Sequence, residues 1–422
     1  MNLKKCKIKD LGYIYTGNTP PTSERKYYGD KYPLIKPTDM TVDGRYIGET
    51  EESLSEEGYN LFKGKLVPEN NPCVVTIGTI GKLCLTKEPS FCNQAVNSIV
   101  VNRELYDPLY VFYLMKISNH KVKFLSSGTA SGRENVSKTA FENIEVEVFP
   151  LPAQRKIASI LSAYDDLIEN NTQRIKILEE IAQALYREWF VKFRFPGHEK
   201  VRIIESELGM VPEGWEVKKL GDVATIHRGK SYRSIDLVDE GGIPFLNLKC
   251  IERGGGFRYD GVKRFQGEYK KTQTAKTGDI VVAVTDMTQE RRLVAHAARV
   301  HVIDNDFAVM SMDLVKVEPN TDVAKDFLHG LLRFSDFSQE VRQHANGVNV
   351  LHLNPSQIQE FKFVLPSTDL RNYYAELCAN AYQECDVLHA KNANLRRTRD
   401  LLLPKLISGE VDVENIEVRM HH

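Results

Sequence analysis

The chain has 422 residues, of which 42% are hydrophobic and 27% charged, and its formal net charge is −1. At roughly 150 residues per domain, this length predicts two to four domains. The composition is that of a globular protein and excludes a disordered or fibrous one. The balanced charge argues against a histone-like protein, but a local basic patch would be enough for nucleic-acid binding.

No apolar run approaches the roughly 20 residues of a membrane helix, and the basic start is not followed by the apolar core of a signal peptide. We therefore expect a cytoplasmic protein. The seven cysteines form no CxxC pair. Cys73, Cys84 and Cys92 share one stretch without an accompanying His-x₃₋₅-His pattern, which favours buried thiols in a reducing cytoplasm over a zinc site.

The sequence contains an internal repeat, which predicts a duplicated architecture. Each half has a mixed region of about 150 residues followed by a long helical stretch. Four short matches occur in the same order along the two halves. They pair residues 8–17 with 220–229, 32–36 with 243–247, 95–98 with 308–311 and 135–152 with 349–366, at offsets of 212, 211, 213 and 214.

Short β-branched runs bounded by turn residues predict strands in both mixed regions, and helical patches lie between them. This mixture indicates two similar α/β domains. The predicted strands are residues 73–77, 98–101 and 144–149 in the first half and 280–284, 312–317 and 361–365 in the second, and the predicted helices are residues 108–118 and 323–334.

After each mixed region, apolar residues recur in alternating steps of four and three, which is typical of a coiled-coil seam. Only Asn171 interrupts the first seam, and Asn392 and Arg399 interrupt the second. The first seam consists of Ile157, Leu161, Tyr164, Ile168, Ile175, Leu178, Ala182, Leu185 and Trp189. The second consists of Tyr374, Cys378, Ala381, Cys385, Leu388, Leu395, Leu402 and Leu406.

The seams lie 217 residues apart, a multiple of seven, so both helices keep the same heptad phase. Each helix could pack alone on its own domain, but a seam of about five heptads favours packing of the two helices on each other. The repeat favours a pseudo-two-fold, antiparallel pair. Pro404 and Gly409 are expected to end the second helix.

The first seam helix, from Ile157 to Trp189, would form a rod of about 48 Å. Two similar domains held at the ends of such a rod would act as a ruler, and duplex DNA is the obvious long, regular ligand. The rod corresponds to at most about 14 base pairs, with the domains about one DNA turn apart.

Catalytic motifs are missing from the sequence. Residues 78–82 are too short for a Walker A loop and lack its Ser or Thr, and Gly254-Gly255-Gly256 is expected to be a loop. Nuclease-like Glu-x-Lys triplets at 216–218 and 360–362 lack an upstream acidic partner. We therefore expect a binding protein rather than an enzyme, with neither a metal nor a catalytic residue.

Cations and amides in loops at matched positions of the two halves are the candidates for DNA contact, because such groups can hydrogen-bond base edges or hold phosphates. Taken alone, any one of them is more often a solvated surface charge, and it is the recurrence at matched positions that favours the loops. The densest cluster is residues 228–233, with three cations in six residues. The candidates are Thr16, Asn18, Lys36, Lys82, Arg133 and Lys138 in the first half and Arg228, Lys230, Arg233, Asn247, Arg291, Asn346 and His352 in the second.

Over nearly its full length, the chain resembles the specificity (S) subunits of type I restriction–modification systems. The resemblance rests on the duplicated plan and on four stretches: residues 151–158 (LPAQRKIA), 211–217 (VPEGWEV), 286–291 (DMTQER) and 399–410 (RDLLLPKLISGE).

With the repeat and the seams, the resemblance predicts an α+β fold in which a long antiparallel two-helix coiled coil separates two similar α/β target-recognition domains related by a pseudo-two-fold internal repeat. The expected boundaries are target-recognition domain 1 at 1–152, spacer helix 1 at 153–195, a linker at 196–211, target-recognition domain 2 at 212–366, spacer helix 2 at 367–410 and a tail at 411–422.

The resemblance also implies that each domain reads one half of a bipartite, asymmetric target in double-stranded DNA. The helices would set the distance between half-sites and dock two methyltransferase (M) subunits, which carry S-adenosylmethionine and methylate adenine. Restriction (R) subunits using ATP and Mg²⁺ would complete the complex, and no cofactor is expected on this chain. The alternatives are a fused nuclease or methyltransferase and a non-catalytic protein-binding scaffold built on the coiled coil.

Overall fold

The computed structural model describes residues 3–41, 44–128, 134–320 and 322–414. The chain divides into two compact units, the first formed by residues 1–169 with 394–422 and the second by residues 170–393. Each unit contains one mixed domain together with a section of both long helices. In the described part of the chain, no helix is long and apolar enough to cross a membrane.

The first domain precedes the long helix α5 (Leu151–Tyr186), which continues as a wider turn to Val191. Its strands are β1 (Lys4–Lys7), β2 (Gly12–Thr16), β3 (Tyr28–Gly29), β4 (Tyr32–Ile35), β5 (Ser53–Leu54), β6 (Pro72–Val75), β7 (Leu83–Leu85), β8 (Phe91–Cys92), β9 (Val96–Val101), β10 (Ser127–Gly128), β11 (Glu134–Asn135) and β12 (Glu145–Val148). Its helices are α1 (Glu56–Phe62), α2 (Pro108–Ile117), α3 (Asn119–Phe124) and α4 (Lys138–Glu142).

The second domain precedes the long helix α10 (Thr368–Ser408). Its strands are β13 (Ile203–Ser206), β14 (Gly209–Pro212), β15 (Glu216–Lys219), β16 (Ala224–Arg228), β17 (Leu237–Val238), β18 (Ile243–Leu246), β19 (Lys263–Phe265), β20 (Thr274–Ala275), β21 (Ile280–Ala283), β22 (Thr285–Asp286), β23 (Ala297–Arg299), β24 (Ala308–Met310), β25 (Leu314–Pro319), β26 (Leu351–His352) and β27 (Lys362–Leu365). Its helices are α6 (Leu220–Val223), α7 (Lys325–Phe334), α8 (Phe337–Val341) and α9 (Pro355–Gln359).

The two domains share one strand topology, which confirms the internal repeat. The main sheet of the first domain is antiparallel with the order β2-β9-β6-β7, and that of the second has the order β16-β25-β21-β23. A strand that precedes the main sheet pairs with the last strand in each domain, β1 with β12 and, after the β13–β14 hairpin, β15 with β27. A parallel pair recurs as well, β4 with β8 and β18 with β24.

Two of the four sequence matches align equivalent strands, one pairs non-equivalent strands, and one pairs equivalent segments three residues out of register. Residues 95–98 match 308–311 in sequence, yet β9 corresponds to β25, at an offset of 218. Residues 135–152 match 349–366 in sequence, yet β12 corresponds to β27, at an offset of 217. Loops of different length shift the offset, and a short apolar run fits several strands equally well.

Helices α5 and α10 pack on each other with antiparallel direction in both units. In the first unit, Ile157 and Leu161 near the start of α5 share an apolar core with Leu403 and Leu406 near the end of α10. The same core contains the sheet and helices of the first domain. Helix α5 therefore packs both on its own domain and on α10, and Tyr374 of α10 lies likewise in the core of the second domain, so the two arrangements considered for the seams occur together.

In the second unit, α5 and α10 are again packed in antiparallel directions. Ile175 of α5 packs with Cys385 and Leu388 of α10. Further along α5, the carbonyl of Ala182 accepts a hydrogen bond of 3.2 Å from the Tyr374 hydroxyl, which lies near the start of α10. The coiled coil is thus antiparallel, as the repeat predicts.

The asparagines that interrupt the two seams meet each other. Asn171 donates through Nδ2 to Oδ1 of Asn392 at 2.9 Å, and Asn392 Nδ2 donates to the Thr172 hydroxyl at 3.2 Å. Both asparagine side chains are buried. A buried polar pair of this kind costs stability but specifies the register of a coiled coil.

Arg399, the other polar interruption, pairs with a carboxylate of the opposite helix. Its guanidinium donates to Oδ1 of Asp165 at 2.5 Å, and Tyr113 of α2 donates to Oδ2 of the same carboxylate at 2.5 Å. Arg399 is 1% exposed. Burial alone would lower the pKa of Arg399, but the attraction of Asp165 raises it above the ordinary arginine value.

The buried face of the helices departs from the predicted seam by one residue at several points. Because a helix has 3.6 residues per turn, a strict heptad seam drifts by about 20° per heptad. The domains also cover part of the helix surface near both ends. Asp165, Tyr186, Tyr382 and Leu403 are buried, whereas the adjacent seam positions Tyr164, Leu185, Ala381 and Leu402 are half-buried.

The end of α10 differs from the prediction at Pro404. The helix continues through Pro404 to Ser408, because Leu406 and Ile407 are held in the core of the first unit. Gly409 ends the helix as predicted, with a φ of +79° that glycine adopts without strain.

All seven cysteines are thiols, and six of them are buried, while Cys6 is half-buried. Cys73 and Cys92 lie with their Sγ atoms 3.5 Å apart in the core of the first domain. Among the described residues, no group of three or more histidines, cysteines and carboxylates is placed to hold a metal ion.

We predict that Arg399→Met lowers the free energy of unfolding by about 3–5 kcal/mol, because it leaves the Asp165 carboxylate buried without its partner. The double variant Asp165→Leu with Arg399→Met should recover most of that loss. Urea unfolding at neutral pH measures both. The exposed pair Arg174–Glu384 is the control, and Arg174→Ala should cost less than about 1 kcal/mol. An equal loss for Arg399→Met and Arg174→Ala would contradict the prediction.

Candidate nucleic-acid interface

Two loops of the first domain that contain predicted contact residues begin at the same end of its main sheet. Thr16 at the end of β2 lies opposite Asn97 of β9, which lies opposite Val74 near the end of β6. The Thr16 hydroxyl donates to Asn97 Oδ1 at 2.6 Å, and Asn97 Nδ2 donates to Thr76 Oγ1 at 3.2 Å. The loops that follow β2 and β6 are therefore neighbours.

The loop after β6, residues 78–82, borders a cleft of about 550 Å³. Gly78 and Gly81 both have positive φ, which allows the chain to turn tightly there. The cleft is lined by Lys82, by Glu134, and by Lys116 and Lys123, neither of which was among the predicted contact residues. Three lysines against one carboxylate give the lining a positive balance that suits an anion such as a DNA phosphate.

The other candidates of the first domain already contact neighbouring groups. Lys82 donates to two backbone carbonyls of residues 37 and 40, at 2.8 and 3.1 Å, which leaves one of its three N–H donors. Asn18 accepts a hydrogen bond from Lys65. Lys36 pairs with Glu52 at 2.6 Å and Lys138 with Glu142 at 3.4 Å. Arg133 lies outside the described residues.

In the second domain, Arg228 occupies the position that Thr16 occupies in the first. Arg228 ends β16 opposite Val315 of β25, which lies opposite Val282 of β21. The Arg228 side chain is exposed. Lys230, two residues on, is bonded through its backbone to Met310 and Met312, and the exposed Arg233 pairs with Asp236 at 3.4 Å.

The loop after β21 is organised by a buried carboxylate, Asp286. It accepts backbone N–H bonds from Thr288 (2.9 Å), Leu293 (2.6 Å) and Val294 (3.2 Å), and the Thr288 hydroxyl at 2.9 Å. Burial alone would raise the pKa of Asp286, but these hydrogen bonds hold it below the ordinary value of 3.8. Asp286 was not predicted as a site residue, although Asp-x-Thr is a pattern of side-chain-capped turns.

This loop meets the segment that contains Asn346 and His352. Strands β22 and β26 pair, and Asn346 and His352 exchange backbone hydrogen bonds of 3.0 and 2.8 Å. Arg291 donates to the Ala345 carbonyl at 3.4 Å, and Gln289 donates to the Val348 carbonyl at 2.9 Å. The structure thus brings Arg291, Asn346 and His352 together.

Asn247, predicted as a contact residue, has a structural role instead. Its side chain is buried, its Nδ2 donates to the Gly261 carbonyl at 2.8 Å and its Oδ1 accepts the Lys249 N–H at 2.9 Å. Asn247 caps a helical turn and stabilises the fold, so its amide is not available to a base.

The nuclease-like triplets lie on paired strands rather than at the loop end of the main sheet. Lys218 pairs with Glu216 at 2.8 Å within β15, and Lys219 pairs with Glu360, next to β27, at 2.6 Å. A hydrogen bond from Lys218 lowers the pKa of the Glu216 carboxyl. These carboxylates are charge-paired surface groups.

We predict that Asp286→Ala lowers the free energy of unfolding at pH 7 by about 1–3 kcal/mol, because several N–H groups lose their acceptor. Since the folded pKa lies below the ordinary value, this stabilisation is complete above about pH 4 and is lost as the pH falls further. Urea unfolding at pH 7 and pH 3 should therefore give a smaller difference at pH 3. Asp260→Ala, which removes an exposed partner of Arg258, is the control. A difference that grows on acidification would refute the prediction.

The family model of the type I restriction modification DNA specificity domain matches the chain twice, at residues 2–180 and 212–370. The chain is 27% identical over 422 residues to the type I restriction enzyme MjaIX specificity subunit of Methanocaldococcus jannaschii, covering 97% of this chain and 94% of that protein. It is 32% identical over 178 residues to the HindI specificity subunit of Haemophilus influenzae, covering 41% of this chain and 38% of that protein.

Among solved structures, the S subunit of a type I restriction–modification system from M. genitalium has the same fold, with a TM-score of 0.53 at 17% identity, over 96% of both chains. The two matches to the family model coincide with the two halves of the repeat and together extend over more than three quarters of the sequence. The chain therefore belongs to the family of type I restriction–modification specificity subunits.

Proposed function

We propose that this chain is the DNA-reading subunit of a type I restriction–modification complex, with one domain for each half of a bipartite, asymmetric target. The main support is that both domains present cationic and amide side chains at the same end of equivalent sheets, with Thr16 and Arg228 at matching positions. Such groups can contact phosphates and base edges.

The two loop ends differ in chemistry, which suits a target whose halves differ. The first domain places lysines around a cleft. The second domain places Arg291 beside Asn346 and His352. Its exposed Arg228 is close in sequence to Lys230 and Arg233. Arginine can bind guanine in a bidentate manner, whereas lysine acts mainly as a point charge on phosphates.

The coiled coil is proposed to set the gap between the half-sites and to dock two M subunits, with R subunits joining the larger complex. A helix of 36 residues, such as α5, is about 54 Å long. The chemistry would then belong to the partners, with S-adenosylmethionine on the M subunits and ATP and Mg²⁺ on the R subunits. This chain would be non-catalytic and would carry no cofactor.

The proposed function is tested by adenine methylation of a DNA library by M subunits with and without this chain. We expect methylation of one split sequence with one gap length, and only when the chain is present. Target-specific methylation without the chain would refute the proposal. Binding of S-adenosylmethionine by the isolated chain in calorimetry would instead support a fused methyltransferase.

We predict that replacing Arg228, Lys230 and Arg233 together by alanine weakens recognition of only one half-site. Each lost phosphate contact should lower the slope of log affinity against log salt by about 0.9. Methylation of libraries randomised in one half-site at a time measures the effect. The matched control replaces Lys270, Lys271 and Lys276, three exposed lysines of the same domain. Equal loss at both half-sites would contradict the assignment.

A further inference from the structure

In each unit, an arginine of the domain reaches a carboxylate on the long helix that follows that domain. The side chain of Arg45 is 9% exposed and pairs with Asp166 and, at 3.7 Å, with Glu169 of α5. The side chain of Arg299 is 13% exposed and donates two hydrogen bonds, of 2.6 and 2.8 Å, to Asp386 of α10. We call these two contacts the arginine clamps.

One carboxylate of each clamp occupies the same position on its helix, although Arg45 lies closer to Asp166 than to Glu169. Glu169 and Asp386 are separated by 217 residues, the offset that also relates the first residues of α5 and α10. The same offset relates Ile157 to Tyr374, both completely buried against their own domains. In each repeat, the helix therefore contacts its domain first through an apolar residue and again, about 18 Å further on, through a carboxylate.

The two arginines, in contrast, come from different parts of their domains. Arg299 ends β23, the edge strand of its main sheet. Arg45 lies in a loop beyond the equivalent edge strand β7, where the Leu85 N–H donates to its carbonyl at 2.7 Å. Non-equivalent arginines of the two domains therefore reach the same stretch of the helix that follows.

We propose that Arg45 and Arg299 are positioning residues that fix the angle at which each domain is held on its helix, and thereby the gap between half-sites that the complex accepts. This inference rests on the proposed function. Apolar contacts are non-directional and limit this angle less sharply than polar contacts do. The two hydrogen bonds from Arg299 to Asp386 are directional, and Arg45 bridges two carboxylates of α5, so each clamp adds a directional constraint at a second point along the helix.

The surroundings of the second clamp keep it ionised. The Arg299 guanidinium lies over the Tyr382 ring, 5.1 Å from its centroid, and His301 Nδ1 lies 2.7 Å from Asp386 Oδ1. Burial alone would raise the pKa of Asp386, but the adjacent His301 imidazole and the hydrogen bonds from Arg299 lower it to about 2. The carboxylate therefore stays charged at neutral pH.

The experiment uses the complex of this chain with its M subunits and a DNA library that keeps both half-sites and varies the gap between them. The variants are Arg299→Met and Asp386→Asn for the second clamp and Arg45→Met for the first. Arg258→Met is the matched control, because Arg258 pairs with Asp260 inside the second domain at 2.6 Å and, among the described residues, with no carboxylate of either long helix. The thermal midpoint of each variant is measured in parallel.

We expect the clamp variants to keep both half-site sequences but to methylate targets whose gap is one base pair longer or shorter. The preference for the correct gap should fall about tenfold, which is within the usual range of coupling between contacting residues. Arg299→Lys should restore part of it, and Arg258→Met should leave it unchanged. A lower thermal midpoint with an unchanged gap preference would overturn the inference. Absence of any split target for the unaltered complex would overturn the proposed function, and this inference with it.

Discussion

Two long helices that meet through apolar side chains could slide by a heptad and bury nearly the same surface, so something else must select one alignment. In this protein, buried polar groups do so. The Asn171–Asn392 pair in the second unit and the Arg399–Asp165 pair in the first are satisfied in only one alignment. Any slip would bury amides or charges without partners, at a cost of several kcal/mol for a charge.

The periodic elements could be predicted from the sequence because their patterns depend on local geometry. The predicted strands at 73–77 and 280–284 overlap β6 and β21, and the predicted helices overlap α2 and α7. The polar seam positions Asn392 and Arg399 were also visible in the sequence. Their partners were not predicted, because Asp165 lies one residue off the apolar seam and only the three-dimensional packing of α5 on α10 brings it to Arg399.

The loops of the candidate interface could be predicted from the sequence, but which of their side chains are accessible could not. Residue type identified Arg228, which is exposed, and Arg291, which is half-buried beside the segment of Asn346. It could not show that Asn247 is buried or that Lys36 is neutralised by Glu52, because those partners are distant in sequence. The same limit explains the two misaligned repeat matches, since strand equivalence depends on pairing rather than on local apolar character.

The buried thiols are intrinsic probes of local opening in the structure that surrounds them. Cys6 is half-buried, and the other six are enclosed, three in the core of the first domain, one in the second domain and two on α10. Burial raises the pKa of Cys250 and Cys385 to about 12, so almost none of the reactive thiolate is present there at neutral pH. Alkylation of each sulfur therefore measures how often its own surroundings fluctuate open, separately for the two domains and the helices.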